Sequence, residues 1–366
     1  MSVVKYLNPH LTKITPYQPG RPIEDVAREL NMNPGDIVKI ASNECPLGPS
    51  PKAAKAMKNA IKEMHLYPDG GAYYLRKKIS EYYELPPENF IFGNGSNELL
   101  IFIAQCFLHP GVSAVMSAHA FAIYKIAAKM FGADAIEFPM CGLTHDLNAI
   151  SKGIPENTRV IFICNPNNPT GSMVNERQID AFMKKVPDDV LVVFDEAYAE
   201  VCLKKMPDTI RYVKEGRDVI VLRSFSKAYG LAGLRIGYGI AKPEIIQAIE
   251  KPRQPFNVNR MAQIAAAAAL DDKAFVKKSL RNYKKGAELV CDFCKAMGLT
   301  FEPPTANFML IKVGNGAKAF QELEKRGVIV RPMAPYMLPE WIRVTFGTEA
   351  ENGKFIREMT EVLACL

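Results

Sequence analysis

Long apolar runs are missing from this chain. None approaches the roughly 18–20 residues that span a bilayer, so no membrane association is expected. Segment 1–20 is polar and proline-rich, without the basic start and apolar block of a secretory signal, and the expectation is a cytoplasmic protein. Eight cysteines in 366 residues do not make a disulfide scaffold. The one C-x-x-C pair, Cys291 and Cys294, lies in a helix-like stretch with no histidine nearby. It reads as two thiols on a helix, the alternative being a zinc or redox pair. Five histidines contain no H-E-x-x-H, and no metal site is expected. Nor does one sign of charge dominate. Against 39 Asp+Glu stand 46 Lys+Arg, a formal net charge of +7 dispersed in pairs such as Lys77-Lys78 and Lys184-Lys185. No basic stripe with interleaved aromatics occurs, which argues against nucleic acid as a partner; a small anionic ligand suits the same charge. Nucleotide motifs are lacking too. Glu98 stands where the third glycine of a dinucleotide fingerprint would be, and no G-x-x-x-x-G-K-[ST] occurs.

What is present is a globular composition, 48% hydrophobic and 23% charged, in a length that suggests about two domains. Between Asn89 and Ala241, short apolar runs alternate with amphipathic helical patterns. The runs are Phe90-Ile91-Phe92, Ala114-Val115-Met116, Arg159 to Cys164, Val190 to Asp195, Val219 to Arg223 and Arg235 to Ile240. The helix candidates include Glu98 to Leu108, Phe121 to Phe131 and Glu176 to Val186. That pattern predicts an α/β fold with a mostly parallel sheet covered on both faces. Beyond Pro255 come two long helical stretches (Arg260 to Leu270, Phe275 to Met297), strands near Phe308 to Val313, Val328 to Arg331 and Ile342 to Phe346, and a terminal helix over Lys354 to Leu363. The reading is a large domain over 41–255, a smaller α+β domain over 256–366, and an arm over 1–40 that joins the smaller domain.

In open parallel sheets, ligands bind beyond the carboxyl ends of the strands and against helix N-termini. Phe90-Ile91-Phe92 ends in Gly93-Asn94-Gly95-Ser96-Asn97, which opens into a helix and suits a phosphate. Arg159 to Cys164 ends in Asn165-Pro166-Asn167-Asn168-Pro169-Thr170-Gly171. Val190 to Phe194 ends in Asp195-Glu196-Ala197-Tyr198. Val219 to Arg223 ends in Ser224-Phe225-Ser226-Lys227, with Arg235 following. Any one of these could be an incidental loop. Together they gather an amide, a carboxylate, a phenol, two hydroxyls, a lysine and an arginine at one sheet edge, a set that describes a pocket for a phosphorylated pyridine aldehyde.

With these motifs in view, the chain resembles the fold-type I pyridoxal-phosphate aminotransferases from end to end. The resemblance is carried also by Pro16-Tyr17-Gln18-Pro19-Gly20-Arg21-Pro22, Ala41-Ser42-Asn43-Glu44, Tyr67-Pro68-Asp69-Gly70, the run Ser224 to Arg235, and Arg343-Val344-Thr345-Phe346-Gly347-Thr348. The arm motif and Tyr67-Pro68-Asp69 favour the branch acting on L-histidinol phosphate and 2-oxoglutarate, yielding imidazole acetol phosphate and glutamate in histidine biosynthesis. The resemblance implies pyridoxal 5′-phosphate as cofactor, held as a Schiff base on Lys227, which also moves the substrate's Cα proton. It implies Asp195 at the pyridine nitrogen, Asn165 and Tyr198 at the ring oxygen, and Phe121 stacked on the ring. The phosphate falls to Gly95, Ser96, Asn97, Ser224, Ser226 and Arg235. Tyr67 would be donated across a homodimer interface to the partner's cofactor phosphate, making the active sites shared. Tyr17, Asn43, Arg331 and Arg343 would meet the substrate. Two departures stand out: Cys45, where the family carries asparagine, and a proline-rich loop over 332–339. The rival readings are an aromatic amino-acid aminotransferase, a phospho-amino-acid decarboxylase on the same scaffold, and a non-catalytic cofactor sensor.

Overall fold

The computed structural model describes residues 2–366. In chain order its strands are β1 (Val38–Lys39), β2 (Phe90–Gly93), β3 (Ser113–Ser117), β4 (Asp134–Phe138), β5 (Thr158–Cys164), β6 (Leu191–Asp195), β7 (Val219–Ser224), β8 (Gly237–Ala241), β9 (Phe308–Lys312), β10 (Val328–Ile329), β11 (Arg331–Pro332) and β12 (Trp341–Thr345). Seven of them form one sheet in the order β2-β8-β7-β6-β5-β3-β4. Neighbours from β7 to β4 are parallel, and β8 alone runs against both strands beside it. The cause is the short link from Ser224 to Gly237. A parallel crossover needs room for an intervening helix, whereas this link holds one 3₁₀ turn, Ala232–Leu234. The chain therefore returns at the end it left from, pairing Ser224 with Gly237 and Gly237 with Gly93.

Side chains alternate across the strands, as period-two geometry requires. Val160, Phe162 and Cys164 enter one buried cluster, Ile161 and Ile163 the other. Both faces are thus covered, and each fully buried Val, Ile or Phe contributes about 1.5–3 kcal/mol relative to exposure. On the same logic Asp195, two residues beyond Val193, points to the face that also holds Tyr124.

A three-stranded antiparallel sheet, β11-β12-β9, stands beside this layer, and β1 pairs in parallel with β10. Ile40 continues that attachment, its carbonyl accepting from Thr345 N at 2.9 Å. Helix Arg260–Leu270 packs against helices Pro51–Ala60 and Tyr73–Tyr83. Its alanines (Ala262, Ala265, Ala266 and Ala269 are buried) permit that close approach.

Four local features differ from the sequence pattern. β4 and helix Leu147–Lys152 were not expected; β4 is an edge strand with exposed Asp134 and Glu137, so no apolar run marks it. The terminal helix starts at Glu349, where Thr348 and Glu351 form a reciprocal capping box. Arg235 is not in a strand: at φ 57° it closes the 3₁₀ turn, and β8 starts at Gly237.

Candidate active site

The carboxyl ends of β2, β6 and β7 and the start of β8 surround a cleft of about 390 Å³. Among the described residues it is lined by Tyr17, Asn43, Gly95, Ser96, Asn97, Phe121, Asp195, Tyr198, Ser224, Ser226, Lys227, Arg235, Arg331 and Arg343, fourteen of the positions singled out above. Asn165 and Tyr67 are not among them.

One wall is an anion cradle. Helix Ser96–Phe107 starts at Gly95, whose φ of +80° suits glycine, and a side chain there would come within 2.4 Å of Arg235 Nη2. Gly237 is as constrained, since a Cβ would lie 2.3 Å from Ser96 N. Those two glycines let the helix N-terminus, with its unpaired N–H groups, meet the arginine. Ser224 and Ser226 are buried alongside, Ser226 N donating to Ser224 Oγ at 3.1 Å. Arg235 forms no ion pair among the described residues; Nη1 donates only to Ala232 O, at 3.1 Å. A phosphate group fits this set of donors.

At the floor lies Asp195, 3% exposed. Its Oδ2 accepts from Tyr124 OH at 2.7 Å and its Oδ1 from Ala197 N at 3.3 Å. No cation pairs with it among the described residues, and burial pushes its carboxyl above the usual range. A buried carboxylate without a cation is costly, so the floor fits a ligand carrying a positive ring nitrogen. Tyr198 OH accepts from Asn43 Nδ2 at 3.0 Å, leaving its own proton free to be donated into the cleft. Burial holds that phenol protonated. Asn43 is fixed in turn by Thr345, whose hydroxyl donates to Asn43 Oδ1 at 3.0 Å.

Lys227 Nζ donates to Ser42 O at 3.3 Å and stands 5.5 Å from the Tyr198 ring centroid. Burial, and secondarily Arg343, lower its pKa to about 8, opposed by Glu44. An amine so placed is available as a nucleophile and a base near neutral pH. Opposite it, Arg343 is 7% exposed; Nη1 donates to Asn168 Oδ1 at 2.5 Å and Nη2 to Ala41 O at 2.7 Å. Its Nε is buried without a partner among the described residues. Arg331 donates to Gln18 O and lies 5.8 Å from the Tyr17 ring centroid.

One sequence assignment needs correction, and another lies where a partner chain would use it. Asn165 spends both ends of its amide on one backbone unit: Nδ2 donates to Val174 O at 3.1 Å, and Oδ1 accepts from Val174 N at 3.0 Å. It fastens the turn rather than facing the cleft. The amide of this turn that lines the cleft is Asn168, three positions on. Sequence spacing did not separate the two, since both precede proline. Tyr67 is 80% exposed and stacks on Phe256 at 4.8 Å, away from the cleft of its own chain. Cys45 and the loop after Arg331 also lie outside it. Cys45 lines a neighbouring cavity of about 420 Å³, and the Tyr336 carbonyl accepts from His119 Nδ1 at 2.6 Å. No group of three or more metal-ligating side chains occurs among the described residues.

This arrangement of lysine, carboxylate and anion cradle has relatives. The family model described as aminotransferase class I and II matches residues 35–359. The chain belongs to that family. A histidinol-phosphate aminotransferase of Akkermansia muciniphila is 49% identical to it over 99% of this chain and 100% of its own length. One of Moorella thermoacetica is 44% identical over 97% and 92% respectively. Among solved structures, histidinol-phosphate aminotransferase from Sinorhizobium meliloti, in complex with pyridoxal-5′-phosphate, superposes with a TM-score of 0.88 at 26% identity, covering 98% of both chains. For an aminotransferase, the cleft holds its chemistry where the fold places it, at the carboxyl edge of the sheet.

Proposed function

We propose that the protein is a pyridoxal-phosphate-dependent aminotransferase converting L-histidinol phosphate and 2-oxoglutarate to imidazole acetol phosphate and L-glutamate, a step of histidine biosynthesis. The curated relatives carry that name at 49% and 44% identity over nearly the whole chain. When bound, pyridoxal phosphate supplies an aldehyde that condenses with amines and a ring that withdraws electrons from the substrate's Cα. The chain's residues divide the remaining work. Gly95, Ser96, Asn97, Ser224, Ser226 and Arg235 would hold the cofactor phosphate, Phe121 the ring face, and Asp195 the positive ring nitrogen. Tyr198 and Asn168 would donate to the ring oxygen; Asn168, rather than Asn165, takes that role in our reading because it faces the cleft. Lys227 Nζ would take the proton from the substrate's Cα and return it, its lowered pKa leaving a useful neutral fraction near pH 8.

The observation that carries the substrate reading is Arg343, buried, unpaired with any carboxylate among the described residues, and with Nε free. Histidinol phosphate has no α-carboxylate, so its anionic end is the phosphate; 2-oxoglutarate brings carboxylates to the same place. A guanidinium serves both, because its planar fork donates to either group and stays charged. Burial lowers the Arg343 pKa, but from a value so high that the charge is retained at any working pH.

Our reading extends to assembly and location. We place the protein in the cytoplasm as a homodimer; no helix among the described residues is long and apolar enough to cross a membrane. Exposed Ile61, Met64, Leu66, Tyr67, Tyr73 and Tyr74 form a segment rich in apolar surface, suited to a second copy. We take residues 41–255 as the cofactor-binding part and group 1–40 with the C-terminal part. Since helix Arg260–Leu270 packs on Pro51–Ala60, residues 256–270 join the cofactor-binding part in this reading, and the smaller part starts after Leu270. The deciding experiment compares kcat/KM for histidinol phosphate, phenylalanine and tyrosine with 2-oxoglutarate as acceptor. Histidinol phosphate should lead; a larger value for either aromatic amino acid would replace this reading with an aromatic aminotransferase.

A further inference from the structure

Tyr124 does not line the cleft, yet it holds the group on which the cofactor's ring depends. It lies on helix Ile123–Met130 and is fully buried. Its ring stacks on Phe162, centroids 4.7 Å apart and planes 4° from parallel, and meets Phe121 edge-on at 5.8 Å. These contacts leave the hydroxyl one position, from which it donates to Asp195 Oδ2 at 2.7 Å. We propose that Tyr124 is a positioning residue that, acting through Asp195, keeps the carboxylate anionic and turned toward the cofactor's ring nitrogen. The inference rests on the pyridoxal-phosphate reading of the cleft.

Few donors reach the Asp195 carboxylate. Among the described residues the other, besides Tyr124 OH, is Ala197 N at 3.3 Å, on the opposite oxygen. Its other polar neighbours include Lys227, which forms no ion pair with it, the thiol of Cys164 and the phenol of Tyr198. Burial works against the carboxylate's charge, and among the groups opposing burial the Tyr124 hydroxyl is the foremost. The phenol is dependable in that role because burial also prevents it from ionising, so it remains a donor. A carboxylate offers about four acceptor positions. With Oδ2 anchored from below by Tyr124, the positions facing the cleft stay available to a ring N–H. Without the anchor, Asp195 would draw to itself the proton it shares with the ring nitrogen, weakening the electron withdrawal that the cofactor would supply.

The ordinary alternative is a core tyrosine that satisfies its hydroxyl on the nearest acceptor, and it makes a different forecast. The test is Tyr124→Phe, which keeps the ring and both aromatic contacts and so the fold, studied as holoenzyme with pyridoxal phosphate labelled with ¹⁵N in the ring. The wild-type resonance should lie at the pyridinium position and the variant's should move toward neutral pyridine. The cofactor's dissociation constant should rise about 10-fold and kcat should fall about 10- to 100-fold with KM little changed, the range for losing a hydrogen bond to a charged group. Site-specific 3-fluorotyrosine at position 124 keeps the donor and should keep the pyridinium signal. A Tyr124→Phe holoenzyme with the wild-type ¹⁵N signal, even one of reduced thermal stability, would overturn the proposal. So would a 3-fluorotyrosine protein that matched the phenylalanine variant. A wild-type protein that bound no pyridoxal phosphate would instead refute the reading of the cleft, and this inference with it.

Discussion

Arg331 and Arg343 are register partners across the β11–β12 ladder. Like charges directly opposite on paired strands are destabilising, and neither arginine has a carboxylate partner among the described residues. Both instead line one cleft. Arg343 is held by Asn168 and Ala41, Arg331 by the Gln18 carbonyl of the arm. The pair is an electrostatic deficit built into the small sheet, and an anionic substrate would relieve it.

Unequal consequences follow for the two arginines. Arg343, buried and with a free Nε, should serve phosphate in one half-reaction and carboxylate in the other. Arg331, more exposed and tied to Tyr17, should matter mainly for the phosphate. We expect Arg343→Ala to lower kcat/KM for both half-reactions, and Arg331→Ala and Tyr17→Phe to lower it chiefly for histidinol phosphate. The scale is about 10- to 100-fold per lost contact, from roughly 1.5–3 kcal/mol per charge-assisted hydrogen bond. Single-turnover kinetics separate the half-reactions. Normal 2-oxoglutarate kinetics in Arg343→Ala would place the anion elsewhere.

The two amides of the turn after β5 should part company under mutation. Asn165→Ala strips the partners from Val174 N and Val174 O, both in a buried setting. An unsatisfied buried group costs about 1–3 kcal/mol, so the loss should appear in the denaturation midpoint. Asn168→Ala removes a group that faces the cleft and contacts Arg343. It should reduce cofactor affinity and kcat/KM, effects that Asn165→Ala should not show in the folded protein. Denaturant titration and cofactor titration of both variants check this, and the opposite assignment of effects would restore Asn165 to the site.

That contrast also marks how far sequence reading reaches. Strand ends were legible because a buried parallel strand is a continuous apolar run, and its first polar residue, Asp195 after Phe194 for instance, announces the edge of the sheet. The anion cradle was legible from Gly95 opening a helix. What could not be read was direction and partnership. The reversal of β8 depends on a link too short for a crossover, and β4 is an edge strand whose half-exposed residues carry no run. Whether Asn165 or Asn168 faces the cleft depends on which amide meets Val174. Tyr124 gave no local sign of its bond to Asp195, since that contact joins residues 71 apart in sequence.

Lys227 gives a pH signature. Its pKa is lowered to about 8, so the neutral, reactive amine is scarce below that pH and dominant above it. Attachment of pyridoxal phosphate to the apo-protein, trapped with borohydride, should accelerate as pH rises through about 8 and then level off. Arg343 depresses this pKa and Glu44 raises it; the midpoint should therefore move up in Arg343→Ala and down in Glu44→Gln. Peptide mass mapping should find the label on Lys227, and Lys227→Ala should lose most turnover. A rate flat between pH 6.5 and 9.5, or label on another lysine, would contradict this account.

Tyr67 bears on whether each active site draws on two chains. Its ring is exposed, stacked on Phe256, and its hydroxyl makes no hydrogen bond among the described residues. Its backbone is tied down, the carbonyl accepting from Arg260 Nη1 at 3.4 Å. A phenol presented on a fastened segment, beside exposed Leu66 and Met64, suits delivery into a second copy. In a two-fold dimer each chain would then give Tyr67 to its partner's cofactor phosphate and receive one in return. Tyr67→Ala and Lys227→Ala should each be nearly inactive alone. Mixed after dissociation, they form heterodimers in which one site has its own Lys227 and the partner's Tyr67, while the other has neither. Random reassociation makes half the dimers mixed, so recovery should approach about a quarter of wild-type activity. If Tyr67 served its own chain instead, every site would lack one of the two groups and mixing would restore nothing. Verified heterodimers without recovered turnover would therefore rule out the shared site.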